Sequence, residues 1–170
     1  MRLYLLRHAI AIPHGTPGYA QDPQRPLTGE GHSQARQVGE GLKRLNVGPD
    51  LIVTSPYVRA TQTAEEVARV LGARLHVKEL DELRAEADPR DSSQALRALA
   101  AHERVLCVGH EPHLSAWIAE LVAGPGGMRC LMKKAGVACV EIERVPPSSG
   151  SGMLRWLLTP KQLALIGQAG

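Results

Sequence analysis

Short aliphatic runs that stop abruptly, each followed by a stretch of helical periodicity, constrain this 170-residue chain more than any other feature. Leu3 to Leu6 reads as a buried strand that halts at Arg7 and His8. A loop rich in Pro and Gly runs from Pro13 to Pro26. Thr28, a good N-cap, then opens a helix with Ala35, Val38, Leu42 and Leu45 at helical spacing, closed by Gly48 and Pro49. Leu51 to Val53 is a second strand, running into Thr54, Ser55 and Pro56. Ser55 is placed as the N-cap and Pro56 at the first helical position of a helix that buries Ala60, Ala64, Val67 and Leu71 and ends near Gly72. Arg74 to Val77 reads as a third strand, and Asp91 as the cap of a short helix with Gln94 in the capping-box position. Val105 to Val108 is a strand ending at Gly109 and His110. Pro112 starts the next helix, which carries Leu114, Ile118, Leu121 and Val122. Beyond the GPGG turn at 124–127, the runs Val137 to Ile142 and Met153 to Leu158 are β-like and joined by PPSSGSG, the pattern of a hairpin.

Strands alternating with helices imply an α/β fold of three layers, α/β/α, with a mostly parallel sheet and antiparallel strands near the C-terminus. One domain over residues 1–170 is expected, because a chain of this length buries ~70% of its unfolded surface without metal or disulfide staples. Lys and Arg exceed Asp and Glu by only three, spread over both halves, and the five aromatic residues form no cluster. Nucleic-acid binding is therefore not expected. Cys107, Cys130 and Cys139 are odd in number and share no C-x-x-C spacing, which points to a reducing, cytoplasmic setting. Arg7 and His8 interrupt the apolar N-terminal stretch, so neither a signal core nor a membrane span is expected.

The chemistry collects where strands end. Leu6 leads into Arg7 and His8, Val53 into Thr54 and Ser55 with Arg59 one turn later, and Val108 into Gly109 and His110. Ligands of open parallel sheets bind outside the carboxyl ends of the strands. Arg59 falls in the first turn of its helix, where the helix dipole disfavours a cation by roughly 0.3–1 kcal/mol. A phosphoryl group bound between that helix N-terminus and Arg7 would account for it, since backbone N–H groups and guanidinium forks match phosphate oxygens. Alone, Arg59 would be read as half of a surface ion pair. The coincidence of three strand ends favours the pocket. A neutral imidazole can attack phosphorus and carry the phosphoryl group, dividing one difficult displacement into two easier ones. His8 is the better nucleophile, since it follows a strand directly, and His110 could donate a hydrogen bond to the phosphoryl oxygens.

The segments LRHAIA, RPLTGEG, SPYVRATQTAE and CVGHEPHLS resemble, in order over residues 1 to about 120, the successive motifs of the histidine phosphatase superfamily, also called phosphoglycerate-mutase-like. The resemblance implies that His8 is the phosphorylated histidine and that Arg7, Arg59 and His110 complete the phosphate pocket. The chain is most similar to the compact SixA-type phosphohistidine phosphatases, which often have Ala after the catalytic histidine, as Ala9 here. Too little chain separates Glu82 from the strand at Val105 for the long insertion with which mutases cover the site. In many members a Glu after a short Leu-containing motif protonates the leaving group, and in ELDELRAEADP that position falls on Glu82. Glu79, Asp81, Glu86 and Asp88 lie in the same run, whose plainer reading is a solvated acidic face. Imidazole leaves as a neutral base with a conjugate-acid pKa of ~6.5, so phosphohistidine needs that proton far less than a sugar phosphate does.

His110 and His113 alone, with Pro112 between them, do not make a recognisable metal site, and neither a dinucleotide fingerprint nor a P-loop follows any strand. No cofactor and no metal are expected. His14, His32, His76 and His102 read as surface or loop residues, with His14 and Arg25 near the pocket mouth, and Cys107 as a small core hydrophobe. The expected activity is metal-independent hydrolysis through phosphohistidine on His8, acting as a monomer on phosphate carried by a protein histidine. Two alternatives stay open: a small-molecule phosphomonoester phosphatase or mutase, and a phosphoprotein-binding module that captures the group without turning it over. Retention of both His8 and His110 argues against the second.

Overall fold

The computed structural model describes residues 1–72 and 76–169. Its elements are β1 (Arg2–Arg7), α1 (Gly29–Arg44), β2 (Leu51–Thr54), α2 (Val58–Leu71), β3 (Val77–Glu79), α3 (Pro89–Ala95), β4 (Arg104–Gly109), α4 (His113–Ala123), β5 (Val137–Glu141), β6 (Met153–Leu158) and α5 (Pro160–Gln168). Short 3-10 turns lie at Asp22–Gln24, Asp81–Leu83 and Leu96–Leu99. One six-stranded sheet orders them β3-β2-β4-β1-β5-β6. β1, β2, β3 and β4 pair in parallel, while β5 runs antiparallel to both β1 and β6. This is the expected three-layer α/β/α arrangement.

The alternation of side chains along each strand divides the apolar residues between two cores. Tyr4, Leu6, Ile52, Leu106, Val108, Val137 and Cys139 face α1, α2 and α5. Leu3, Leu5, Val53, Val105, Cys107, Ala138 and Val140 face Leu114, Trp117, Ile118 and Leu121 of α4 and Leu96 and Leu99 of the α3 region. The chain therefore leaves β1 toward one face of the sheet and leaves β4 toward the other. β1 and β4 are neighbours, and between them lies the crevice where such sheets take ligands.

Several helix starts differ from the expected ones. Thr28 caps α1 as expected, its hydroxyl accepting from Gly31 N–H at 3.0 Å. α2 begins at Val58 rather than Pro56, and Ser55 caps no helix. Asp88, not Asp91, caps α3, accepting from Arg90 N–H, because Pro89 takes the first helical position. α1 ends at Arg44, ahead of Gly48 and Pro49, and Gly72 closes α2 with a positive φ of 144°. The first half of the expected strand Arg74 to Val77 lies outside the described residues, and β3 starts at its last position. α5 was not read from the sequence, although Thr159 and Gln162 form a full capping box and Pro160 holds its first turn. It packs along α1, where Gly41 leaves room for the Leu163 carbonyl, 2.3 Å from where a Cβ would sit. Among the described residues no helix is long and apolar enough to cross a membrane.

The loop between β1 and α1 is fixed by backbone contacts. Gly31 packs so closely that an added Cβ would lie 1.9 Å from the Ile10 carbonyl oxygen, itself held by Thr28 N–H at 3.0 Å. A backbone atom cannot swing away as a side chain can. Gly31→Ala is therefore expected to destabilise the fold by about 1–3 kcal/mol, read as a lower urea midpoint at unchanged slope.

Candidate active site

Parallel pairing sets Arg7 opposite Gly109, so His8 and His110 leave adjacent strands at the same level. His8 N–H donates to the Gly109 carbonyl at 2.9 Å, continuing the ladder past the strand end and holding the residue firmly. The two imidazole rings stand 5.1 Å apart, both buried. From the other side of β4 comes β2, whose end delivers Ser55, Tyr57 and, through the first turn of α2, Arg59. The three strand ends that the sequence singled out thus meet.

The hydrogen bonds assign the imidazole tautomers. His8 Nδ1 lies 2.7 Å from its neighbour's carbonyl oxygen, Ala9 O, so Nδ1 carries the proton and Nε2 presents a lone pair. Arg59 Nε–H donates to that Nε2 at 3.3 Å. Ser55 Oγ accepts from Tyr57 N–H at 3.4 Å and lies 2.8 Å from His110 Nε2; when the hydroxyl donates in that contact, the proton of His110 sits on Nδ1. His110 Nδ1 is then a buried donor without a protein partner, and so is Nε of Arg7, whose Nη1 donates to the Met132 carbonyl at 2.7 Å. Two unsatisfied buried donors flanking one lone-pair nitrogen suit an oxyanion.

The electrostatics keep both rings neutral. Burial, reinforced by Arg59, Arg7 and Lys134 against the hydrogen bond to Ala9, pushes His8 down to about 3. His110 is pushed down to about 2 by burial first and then by Arg59, His8, His113 and Arg7.

Arg59 is only 3% exposed and is held by a residue that sequence reasoning passed over. Its Nη1 donates to the Asp22 carbonyl and its Nη2 to Asp22 Oδ2, both at 2.9 Å. Asp22 also accepts from Arg25, which therefore does border the pocket, whereas His14 lies exposed in the same loop. Burial raises the Asp22 carboxyl, but Arg25 and Arg59 together outweigh it and hold the group below its ordinary value. Nothing in the spacing of Asp22 marked it, since its role depends on a loop folding back across the end of α2. Thr63, also unremarked, accepts from Ala9 N–H at 3.1 Å and donates to the Arg59 carbonyl at 2.7 Å, tying the nucleophile's strand to the arginine's helix.

Glu82 lies in the turn Asp81–Leu83, partly buried, and its carbonyl accepts from Ser92 Oγ at 2.6 Å. Among the described residues no hydrogen bond joins its carboxylate to His8, Arg59 or His110. The acid of that run that does reach the site is Glu86, which accepts from the Tyr57 hydroxyl at 2.9 Å. His113 points away from His110 into a separate contact, its Nε2 2.8 Å from Ser92 Oγ. Among the described residues no group of three or more His, Cys, Asp or Glu is placed to hold a metal ion.

Residues 3–88 match the sequence model of the histidine phosphatase superfamily, branch 1, and the chain belongs to that superfamily. Within it the chain is SixA-like. It is 30% identical to the phosphohistidine phosphatase SixA of Escherichia coli over 97% of this chain and 98% of that one. A solved structure of the protein histidine phosphatase SixA complexed with tungstate superposes with a TM-score of 0.82 at 30% identity, covering 96% of this chain and 99% of that chain. The SixA structure from Agrobacterium tumefaciens gives 0.75 at 25% identity, covering 94% and 97%.

The two buried histidines of the pocket, together with buried His113 beside Ser92, give the fold a signature in stability. His113 is also pushed down, to about 4, chiefly by burial. The unfolded chain binds protons at these residues near the ordinary value of ~6.5, and the folded chain refuses them. Their contribution is complete above that value and declines as pH falls toward 4, by at most about 1.4 kcal/mol per histidine per pH unit. The urea midpoint is expected to be lower at pH 5 than at pH 7, and replacing His113 by Leu is expected to flatten that decline.

Proposed function

We propose that the protein is a metal-independent phosphatase that takes a phosphoryl group from a histidine of a phosphotransfer protein onto Nε2 of His8 and passes it to water. The observation that carries this reading is the His8 tautomer: Nδ1–H is tied to Ala9, and the lone pair of Nε2 is turned to Arg59, whose Nε–H holds it by a long hydrogen bond of 3.3 Å. Both rings are neutral at physiological pH, so His8 needs no base to become nucleophilic.

In the first step the Nε2 lone pair forms a bond to phosphorus while the bond from phosphorus to the substrate nitrogen breaks, its electron pair going to the departing imidazole. Arg7, Arg59 and the Nδ1–H of His110 hold the three equatorial oxygens, where the charge of the transferring group spreads. Arg59 turns its Nε–H from the His8 lone pair to a phosphoryl oxygen as the new bond forms. In the second step water attacks phosphorus, the bond to Nε2 breaks and phosphate leaves. Tungstate, the ligand of the solved SixA complex, is a tetrahedral oxyanion of the shape this donor set suits. Glu82 is proposed as proton donor only where the leaving group is an alkoxide, reaching in from its turn.

Phosphate release from a histidine-phosphorylated phosphotransfer domain, compared with a panel of sugar phosphates in the presence of chelator, tests the reading. The phosphoprotein is expected to be turned over faster, with His8→Ala losing at least about 10²-fold. Release from sugar phosphates alone would move the function to small metabolites, and no release from any substrate would favour a binding module. Arg59→Ala is expected to weaken vanadate binding at least about tenfold, corresponding to one charge-assisted contact. Glu82→Gln is expected to slow sugar-phosphate hydrolysis more than phosphohistidine hydrolysis, and equal slowing of the two would remove Glu82 from the leaving-group chemistry.

A further inference from the structure

A carboxylate at the mouth of an anion pocket opposes the substrate's own charge unless something cationic comes between them. Asp22 has Arg59 and Arg25 as partners. Asp81 has Arg84 at 2.9 Å. Glu86 has no cationic partner among the described residues. Both its oxygens lie 2.9 Å from the Tyr57 hydroxyl, which donates to it. Tyr57 in turn forms a wall of the pocket. Its ring centroid is 4.8 Å from that of His110 and 5.0 Å from the guanidinium carbon of Arg59.

The displacement geometry says what arrives there. His8 is 7% exposed and forms the floor of the pocket. The attacking and leaving atoms lie in line through phosphorus, so the leaving group points outward, and among the groups on that outer side are partly exposed Tyr57, beside His110 and Arg59, and exposed Glu86 on its hydroxyl. The Arg59 guanidinium already lies on the Tyr57 ring, and the Glu86 carboxylate on the ring's outer edge is the group left to attract a second cation. We infer that Tyr57 and Glu86 form a leaving-group subsite for a cation, the protonated ring of phosphohistidine, and thereby select phosphorus–nitrogen over phosphorus–oxygen substrates. This rests on the reading that His8 accepts a phosphoryl group from nitrogen.

The chemistry balances without a proton donor. The reactive form of the substrate ring has taken a proton from solvent onto the nitrogen that is not phosphorylated, which makes it cationic. When the bond from phosphorus breaks, its electron pair neutralises that charge and a neutral imidazole departs. Glu86 and Tyr57 favour the protonated, reactive form of the substrate. A phosphate ester brings no such cation, and the same carboxylate repels the charge developing on its leaving oxygen.

The test is a charge series at position 86 read as selectivity. The kcat/KM for free phosphohistidine is divided by that for phenyl phosphate in the wild type, Glu86→Gln and Glu86→Lys. The ratio is expected to fall about three- to tenfold with Gln, as for a partly exposed charge contact, and further with Lys. Tyr57→Leu is expected to lower it as well. A ratio constant across the Glu86 series overturns the subsite while leaving the phosphohistidine reading intact. A wild type that releases phosphate from the ester but not from phosphohistidine overturns both.

Discussion

The parallel pairing of β1 with β4 is the constraint on which the rest depends. In this register Leu6 stands opposite Val108 and Arg7 opposite Gly109, so both catalytic candidates emerge at one level from the two central strands of the sheet. Register in a buried strand resists slippage, because a shift of one residue would turn Leu3 and Leu5 to the wrong core and Tyr4 and Leu6 with them. The ladder, not the loops, therefore sets the 5.1 Å between the rings. The loops then add what the strands cannot carry. Ala135, at a left-handed φ of 57°, turns its N–H onto the carbonyls of Arg7 and His8 and brings Met132 O to the Arg7 side chain.

Burying Arg59 and part of Arg7 beside two imidazoles concentrates positive charge where no water can spread it. Each neighbour then answers a specific need. The imidazoles stay neutral, so they add no charge of their own. Asp22 gives Arg59 a counter-ion in the absence of any bound anion, and Arg25 divides the Asp22 carboxylate with it. A buried arginine without that partner would be destabilising by several kcal/mol. The cation that the dipole of α2 disfavours is thus offset from within the chain. Arg59 keeps donor hydrogens in reserve, since a guanidinium has five N–H groups and three of its contacts are used.

What the sequence disclosed and what it concealed divide along one line. Strand ends, Arg59 in a first helical turn and the three-layer alternation of strands with helices were legible because they depend on local periodicity and on one rule about parallel sheets. Helix starts were misplaced where two residues competed for the role: Pro89 fixes the first turn of α3 and so makes Asp88 the cap, although Asp91 and Gln94 had the capping-box spacing. Ser55 has the spacing of a cap, but its hydroxyl meets His110 instead. Nothing in its own neighbourhood distinguishes Asp22, and Tyr57 and Thr63 lie inside the segment SPYVRATQTAE without their roles being legible there, because each of the three acts through a contact with a residue distant in the sequence. α5 was missed for a different reason: nine residues after a hairpin give too short a pattern to read, even with Thr159 and Gln162 in place.

The acidic run 79–88 shows how one composition carries unlike roles. Read as a block it is a solvated face, and most of it is. Asp81 pairs with Arg84, and Asp88 caps α3 and pairs with Arg90. Glu82 is committed through its backbone, its carbonyl anchoring the turn to Ser92, which also meets His113 of α4. Only Glu86 turns its carboxylate to the pocket wall, through Tyr57. A negative group there is a poor neighbour for a phosphate dianion, the group that the proposed reaction brings to His8. It is a good neighbour for a positively charged leaving group two bonds farther out. Placing the two charges at different depths lets the same opening attract a substrate that is anionic at phosphorus and cationic beyond it.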